Sequence, residues 1–208
     1  MKLTYEVLTA ADINDATDCI AQTFAKSEPM VSCLGISFDE FRQFAEIFIT
    51  KAADDGLSLV VKTDDRLVAA VINEDLCTDP PAGIESVTPQ MNPVLDILEK
   101  LDRPYLENNP CEKGEFFHIF MGGVLDAFEG KKIAANLLRE SQELAVQKGF
   151  KRILVEATGN TSRYLFERHP DFSEVSRIPY KSYTFEGRNV FSDIKGGTDC
   201  VLFEAKLQ

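Results

Sequence analysis

The chain has 208 residues, 44% of them hydrophobic and 27% charged, with a net charge of −12. That length suits one domain, residues 1–208, with a core large enough to stand without staples, and the composition excludes disorder. An acidic surface repels phosphate backbones, which excludes nucleic acid as a partner, and it suits a cationic partner such as an amine.

Residues 2–8 alternate in polarity and predict a first strand. A helix opens at residues 10–12, with Ile13, Ala16, Ile20 and Phe24 at three- and four-residue spacing. Ser27-Glu28-Pro29-Met30 interrupts it, because proline disfavours helix in the residue before it. Ser37 begins a second helix with the stripe Phe41, Phe44, Ala45, Phe48 and Ile49, and Gly56 ends it. Residues 57–62 and 67–72 are β-rich runs joined by Thr63-Asp64-Asp65-Arg66, a hairpin by its turn residues. Residues 75–93 hold four prolines and read as a loop or lid. Residues 93–101 look helical, and 75–110 together form an insertion.

Residues 115–124 predict a strand. An amphipathic helix follows, with Ile133, Leu137, Leu138, Leu144 and Ala145 inward, and Gly149 caps it. A strand at 152–156, a short helix at 161–168 and a last strand at 199–205 complete the order. The strand–helix–strand unit predicts a parallel pair with a right-handed crossover, and the earlier meander predicts antiparallel pairs, so the class is α+β.

Five cysteines (Cys19, Cys33, Cys77, Cys111 and Cys200) form no framework spacing and no CxxC, so reduced thiols and a cytoplasmic location are expected. The chain starts directly in strand-like alternation, so no signal peptide is expected. It has no apolar run of about 18 residues, so no membrane partner is expected. The two histidines and scattered cysteines give no metal-site spacing.

The most informative stretch runs from Val124 through Phe128, Glu129, Gly130, Lys131, Lys132, Ile133 and Ala134. A strand enters a loop, and the loop enters a helix. Loop amides, the positive end of the helix dipole and two lysines could form a pyrophosphate site. The bland reading is a lysine-rich solvated turn, but cations at a helix N-terminus are mildly unfavourable.

This stretch resembles the acetyl-CoA loop of the GNAT superfamily, V-x-x-x-[YF]-[RQ]-G-x-G-x-[GA]. Val124, Phe128, Gly130 and Ala134 match, while Glu129 replaces Arg or Gln and Lys132 replaces the middle glycine. Phe24 through Met30 is similar to the F-x-x-x-E-P-[LM] signature of the arylalkylamine N-acetyltransferase-like branch, which includes the insect dopamine acetyltransferases. Residues 149–156 and 160–172 resemble the helix end, fifth strand and following helix of the superfamily, and Leu34-Gly35 and the late segment 177–191 resemble that branch, the latter its late strand and turn.

The resemblance implies a mixed, twisted sheet splayed near its centre with helices on both faces. It also implies an acetyl-CoA-dependent N-acetyltransferase working by direct attack in a ternary complex. Its acceptor would be a small-molecule primary amine, and an arylalkylamine is one candidate. Glu28 inherits the role of general base. Thr158 and Ser162 occupy the places of two hydroxyls used by branch members, with Ser162 a candidate donor to the departing thiolate. His118 lies where vertebrate members carry substrate-facing histidines, in alternation with Phe120, Gly122 and Val124. The pantetheine arm would pair with Gly122 and Val124, and the diphosphate would sit on Gly130 to Ala134, flanked by Glu129. Asn160 and Phe166 complete the cofactor side, although Phe166 replaces the tyrosine acid of many members.

Plain readings stand beside these. Glu28 could be a solvated helix-end carboxylate, Ser162 a helix cap, His118 a core histidine, and Phe116, Phe117 and Phe120 core rather than an aryl pocket. The rival function is a non-catalytic acyl-CoA-binding or regulatory protein on the same fold, supported by Glu129, Lys132 and Phe166. A third reading is an acetyltransferase for polyamines or amino acids. The expected oligomeric state is monomer or homodimer.

Overall fold

The computed structural model describes residues 2–64, 66–84 and 88–207. The chain enters through β1 (Thr4–Val7) and turns into α1 (Ile13–Ser27), which buries Ala16, Cys19, Ile20 and Ala21. Pro29 stops α1, and Glu28 becomes extended at φ −74° and ψ 122°. The chain then restarts as α2 (Pro29–Leu34), with the proline in the first turn, where its missing N–H costs nothing. The interruption expected at 27–30 is therefore a break between two helices, and Gly35 ends the second at φ +67°. α3 (Phe38–Asp55) begins with a reciprocal cap between Ser37 and Glu40 and ends at Gly56.

β2 (Leu59–Lys62) and β3 (Leu67–Asp75) follow as an antiparallel pair. Asp65 of the predicted turn lies outside the described residues, as do residues 85–87 of the predicted lid. Within the insertion, α4 (Asn92–Leu106) runs five residues past the expected end. The Tyr183 hydroxyl anchors α4 by donating to the Pro93 carbonyl at 3.0 Å and to Asp96 at 2.6 Å. A Cys77–Cys111 disulfide closes the base of the insertion, with Cα atoms 5.3 Å apart. This corrects the expectation that all five cysteines are thiols. The two are 34 residues apart in sequence, but the excursion from β3 returns beside its own start, which spacing alone does not reveal.

The remaining elements are β4 (Phe116–Val124), α5 (Ile133–Gln147), β5 (Arg152–Ala157), α6 (Asn160–Glu167), β6 (Phe172–Pro179) and β7 (Asp199–Lys206). The seven strands form one sheet in the order β1-β2-β3-β4-β5-β7-β6. Among the described residues only the β4–β5 pair is parallel, as the crossover argument predicts. One core layer holds Ile72, Phe116, Leu154 and Leu202 with buried residues of α1, α3 and α4. The other holds Val71, Ile153, Val155 and Phe203 with buried residues of α5 and α6.

Two irregularities in the sheet build the site. The β4–β5 ladder stops after three pairs, the last being His118 with Leu154, so the strands part beyond that point. The β3–β4 ladder jumps from Ile72↔Met121 to Asn73↔Ile119, which leaves Phe120 as an extra residue on β4. Such a bulge re-aims the following side chains. The expected alternation of His118 with Gly122 and Val124 is therefore broken. His118 and Phe120 lie toward the α1–α4 layer, whereas Val124 packs with the opposite one. No helix of the described residues is long and apolar enough to cross a membrane.

Candidate active site

Glu28 sits between α1 and α2, over the far end of β5. Its Oε2 caps α2 by accepting the Val31 N–H at 2.5 Å. Its Oε1 is buried and accepts no hydrogen bond. Burial raises its pKa, opposed by the Val31 N–H, the Thr158 hydroxyl beside it and the Met30 N–H. Glu28 is thus held by one oxygen while the other stays free, and it is a stronger base than a solvated carboxylate. The solvated reading fails for the carboxyl group.

The ground under Glu28 is tightly packed. The Thr158 carbonyl accepts the Tyr180 hydroxyl at 2.7 Å. A Cβ on Gly197 would come within 2.8 Å of the Thr158 carbonyl oxygen, and one on Gly159 within 3.2 Å of the Pro29 ring. Glycine is needed there for close approach of three backbones. Ser162 lies at the third position of α6, after Gly159 at its N-cap; its hydroxyl donates to the Gly159 carbonyl at 3.0 Å and accepts the Gly159 N–H at 3.3 Å, so it is not the capping residue expected from the sequence.

His118 is buried, and carboxylates hold both ring nitrogens: Glu74 Oε1 at 3.0 Å from Nδ1 and Glu156 Oε2 at 2.7 Å from Nε2. Burial works against its charge, but Glu156 and then Glu74 outweigh it and raise its pKa well above 6.5. Asp102 of α4 stands beside Glu156, and burial, with the Glu156 charge second, pushes its pKa up to about 9. None of Glu74, Asp102 and Glu156 was singled out from sequence. The available signal was an acid inside an apolar run, as in Leu154-Val155-Glu156-Ala157.

Beyond His118, β4 has no partner on its β5 side, so its backbone groups there face the splay. β4 leads into a 3-10 turn at Asp126–Phe128 and the loop to α5. Gly130 has φ +72°, and a Cβ built on it would meet nothing within 4 Å, so the space over the loop is open. Lys132 has φ +62°, a left-handed conformation that costs a non-glycine residue about 1–2 kcal/mol. It precedes α5 with no side-chain cap, and no acid lies in the first turn, so the first amides of α5 keep their capacity for an anion. The Lys131 ammonium lies 4.6 Å from the Phe128 ring centre, and Glu129, Lys131, Lys132 and Ala134 are exposed while Ile133 is core. Open space, free amides and two ammonium groups fit a diphosphate-bearing donor.

Of the other predicted residues, Asn160 is exposed at the start of α6. Phe166 packs in the core against Phe172 and Phe203, with ring centres 5.1 and 5.9 Å away. Phe116 and Phe117 are fully buried core. Phe120 is partly exposed against Phe44 and Phe48. An open cleft of about 450 Å³ is lined by Phe44 together with Gln43, Glu46, Ile47, Thr50, Ala82 and Thr88.

No family model matches the sequence. Solved structures match it along its whole length. The C-terminal condensation domain of Ebony in complex with β-alanyl-dopamine superposes with a TM-score of 0.89 at 17% identity, covering 100% of both chains. Arylalkylamine N-acetyltransferase 2 from Aedes aegypti gives 0.81 at 18% identity, again over 100% of both chains. The Drosophila melanogaster polyamine N-acetyltransferase gives 0.77 at 13% identity, over 99% of this chain and 100% of that one. The chain has the GNAT fold, a mixed sheet with helices on both faces. Its form is the one shared by these amine-transferase structures.

Proposed function

We propose that the protein is an N-acyltransferase that moves an acetyl group from acetyl-CoA to the primary amine of a small molecule, with Glu28 as general base. The observation that carries this is the free, buried oxygen of Glu28 beside the end of β5, where β4 and β5 have parted. A carboxyl in that position needs a donor, and an ammonium group provides one.

Acetyl-CoA supplies the activated acyl group. Gly130, Lys131, Lys132 and the first amides of α5 hold its diphosphate, flanked by Glu129, Ile133 and Ala134, and the β4 edge at Gly122 and Val124 aligns its pantetheine arm. Asn160 and Phe166 belong to the same side, the phenylalanine as support beneath α6. The amine enters between α3 and the insertion, past Phe44 and Phe120. Glu28 takes one proton from the ammonium, and the freed nitrogen attacks the thioester carbonyl. Unpaired N–H groups of β4 steady the developing oxyanion. As the carbon–sulfur bond breaks, the second proton of the attacking nitrogen passes to the Ser162 oxygen while the Ser162 hydroxyl proton passes to the thiolate, which requires release of its bond to the Gly159 carbonyl. Thr158 keeps Glu28 aligned.

A second reading, transfer of an aminoacyl group, is favoured by the likeness to a condensation domain that holds β-alanyl-dopamine. Amine-dependent thiol release from acetyl-CoA and β-alanyl-CoA, measured against arylalkylamines, polyamines and amino acids, tests both. Turnover with one donor and one amine class supports the enzyme reading and names the pair. If acetyl-CoA binds but no amine releases thiol from either donor, the binding-protein reading replaces it.

A further inference from the structure

The backbone ladder between β4 and β5 ends at the pair His118↔Leu154, and side chains take over where it stops. His118 spans three strands. Its Nδ1 bonds Glu74, its register partner on β3, at 3.0 Å, and its Nε2 bonds Glu156 at 2.7 Å. Glu156 lies on β5 two residues past Leu154 and on the same face, so this second bond reaches β5 beyond the last backbone pair. His118 is held charged between the two carboxylates, and charge-assisted bonds are the stronger kind. Helices cover the group. The Phe120 ring lies 5.5 Å from the imidazole and 4.7 Å from Phe48 of α3. Lys51 of α3 lies 4.0 Å from Glu74, and Asp102 of α4 stands against Glu156.

Cohesion alone does not explain this group. Apolar side chains of the same volume would hold the interior at least as well as buried ions. What the ions add is geometry. Two directional bonds fix the spacing of β3, β4 and β5 at the residue where the last two strands begin to part. Beyond that residue β4 runs to Gly122 and Val124, and β5 leads to Thr158 beside Glu28. The separation of the strands there is the separation between a donor lying on β4 and the base. Reacting groups tolerate little misalignment: an error of about 1 Å costs roughly 10²-fold in rate.

We propose that Glu74, His118 and Glu156 form an ionic rivet across β3, β4 and β5 that sets the width of the splay and so places the acyl donor against Glu28. The proposal rests on the acyl-transfer reading. Both ring nitrogens of His118 are engaged, so it takes no proton from the amine, and the three act as positioning residues. This differs from the substrate-facing part that the sequence suggests for His118. The rivet also bears on which acyl group is accepted. A splay held at one width favours a short acyl chain over a longer one, and a loosened splay discriminates less.

The test measures kcat and KM with acetyl-CoA and with butyryl-CoA, using the best amine, for wild type, Glu156→Gln and Glu74→Gln. Glutamine keeps the volume and an acceptor oxygen but removes the charge. Glu74 lies at the rim, so its variant answers if the buried one fails to fold. With acetyl-CoA, kcat is expected to fall at least about tenfold while KM for the amine stays within about twofold. The preference for acetyl over butyryl, as a ratio of kcat/KM, shrinks at least about threefold. A purely structural loss lowers both donors alike, so the ratio decides: folded variants that keep the wild-type ratio overturn the rivet, whatever their rate. If wild type itself releases no thiol, the acyl-transfer reading has failed, and amide hydrogen exchange decides the rivet separately. Phe117, His118 and Leu154, at the end of the ladder, then exchange at least about tenfold faster in Glu156→Gln while β1 and β2 exchange as in wild type. Exchange there that is unchanged, or that rises no more than in β1 and β2, overturns it.

Discussion

Glu28 serves two roles that pull against each other. As the cap of α2 it is best charged, because it accepts an N–H from the helix start. As a buried group it is best neutral, and burial is the larger influence. Its neighbours are fixed by short bonds, of which the Tyr180 hydroxyl on the Thr158 carbonyl is the plainest. Tyr180→Phe removes that bond and leaves a carbonyl short of a donor, at a cost of about 1–3 kcal/mol in urea unfolding. An unchanged unfolding midpoint would show that the carbonyl finds another donor.

His118 and Asp102 also set a pH dependence of stability. The imidazole pKa is raised on folding, so its contribution is full below 6.5 and is lost as pH rises through the higher folded value. Asp102 keeps its proton up to about 9 in the fold but loses it near 3.8 when unfolded, so its contribution also declines as pH rises across that window. Denaturant midpoints should therefore fall between pH 6.5 and 9, and Asp102→Asn should flatten the slope. A midpoint that rises over this range would contradict both assignments.

At the scale of elements, the close approach of α1 to β4 fixes where Glu28 stands. A Cβ on Gly123 would lie 2.2 Å from the Thr23 hydroxyl oxygen, which already bonds the Cys19 and Ile20 carbonyls. Gly123→Ala must therefore push α1 outward and carry Glu28 with it. We expect a lower thermal midpoint and lower turnover, both partly recovered in the double variant with Thr23→Ala. Additive losses in the double variant would deny the contact.

The insertion behaves as a second such element. Opening the Cys77–Cys111 bond frees a loop of 34 residues and costs about 3–4 kcal/mol by chain entropy. Cys77→Ser with Cys111→Ser, followed by chemical denaturation, measures it. A cost near zero would mean that α4, held by Tyr183, needs no clasp.

Most element positions were legible from sequence, because periodicity and helix caps act over a few residues: Ser37 with Gly56 bounds α3, and Pro29 breaks α1. The turn before α5 and the Glu28-Pro29 break between α1 and α2 were legible as motifs. The buried acids were not, because a glutamate in a strand shows no partner until the sheet places β3, β4 and β5 side by side. The bulge at Phe120 was also hidden, since it exists only as a mismatch between two strands. Disulfide pairing likewise depends on where the insertion returns.

For the whole molecule, an excess of 12 negative charges gives a field that draws cations toward a buried carboxylate. If steering matters, kcat/KM for the amine falls as salt rises while kcat stays level. The loop lysines Lys131 and Lys132 invert that field locally, where the donor's phosphates would sit. The architecture thus separates a lysine-bearing turn at the α5 N-terminus from a buried carboxylate at the α1–α2 break, and the splay between β4 and β5 lies between them.

The measurement that tests this most directly is the rate of thiol release from acetyl-CoA against pH, with the best amine, for wild type and Glu28→Gln. Wild type should show an acid limb with a midpoint above the ordinary carboxylate value of 4.5. The variant should lose that limb and about 10²–10⁴ in kcat while still binding acetyl-CoA. A variant that keeps the wild-type rate and acid limb would remove Glu28 from the chemistry and contradict the account.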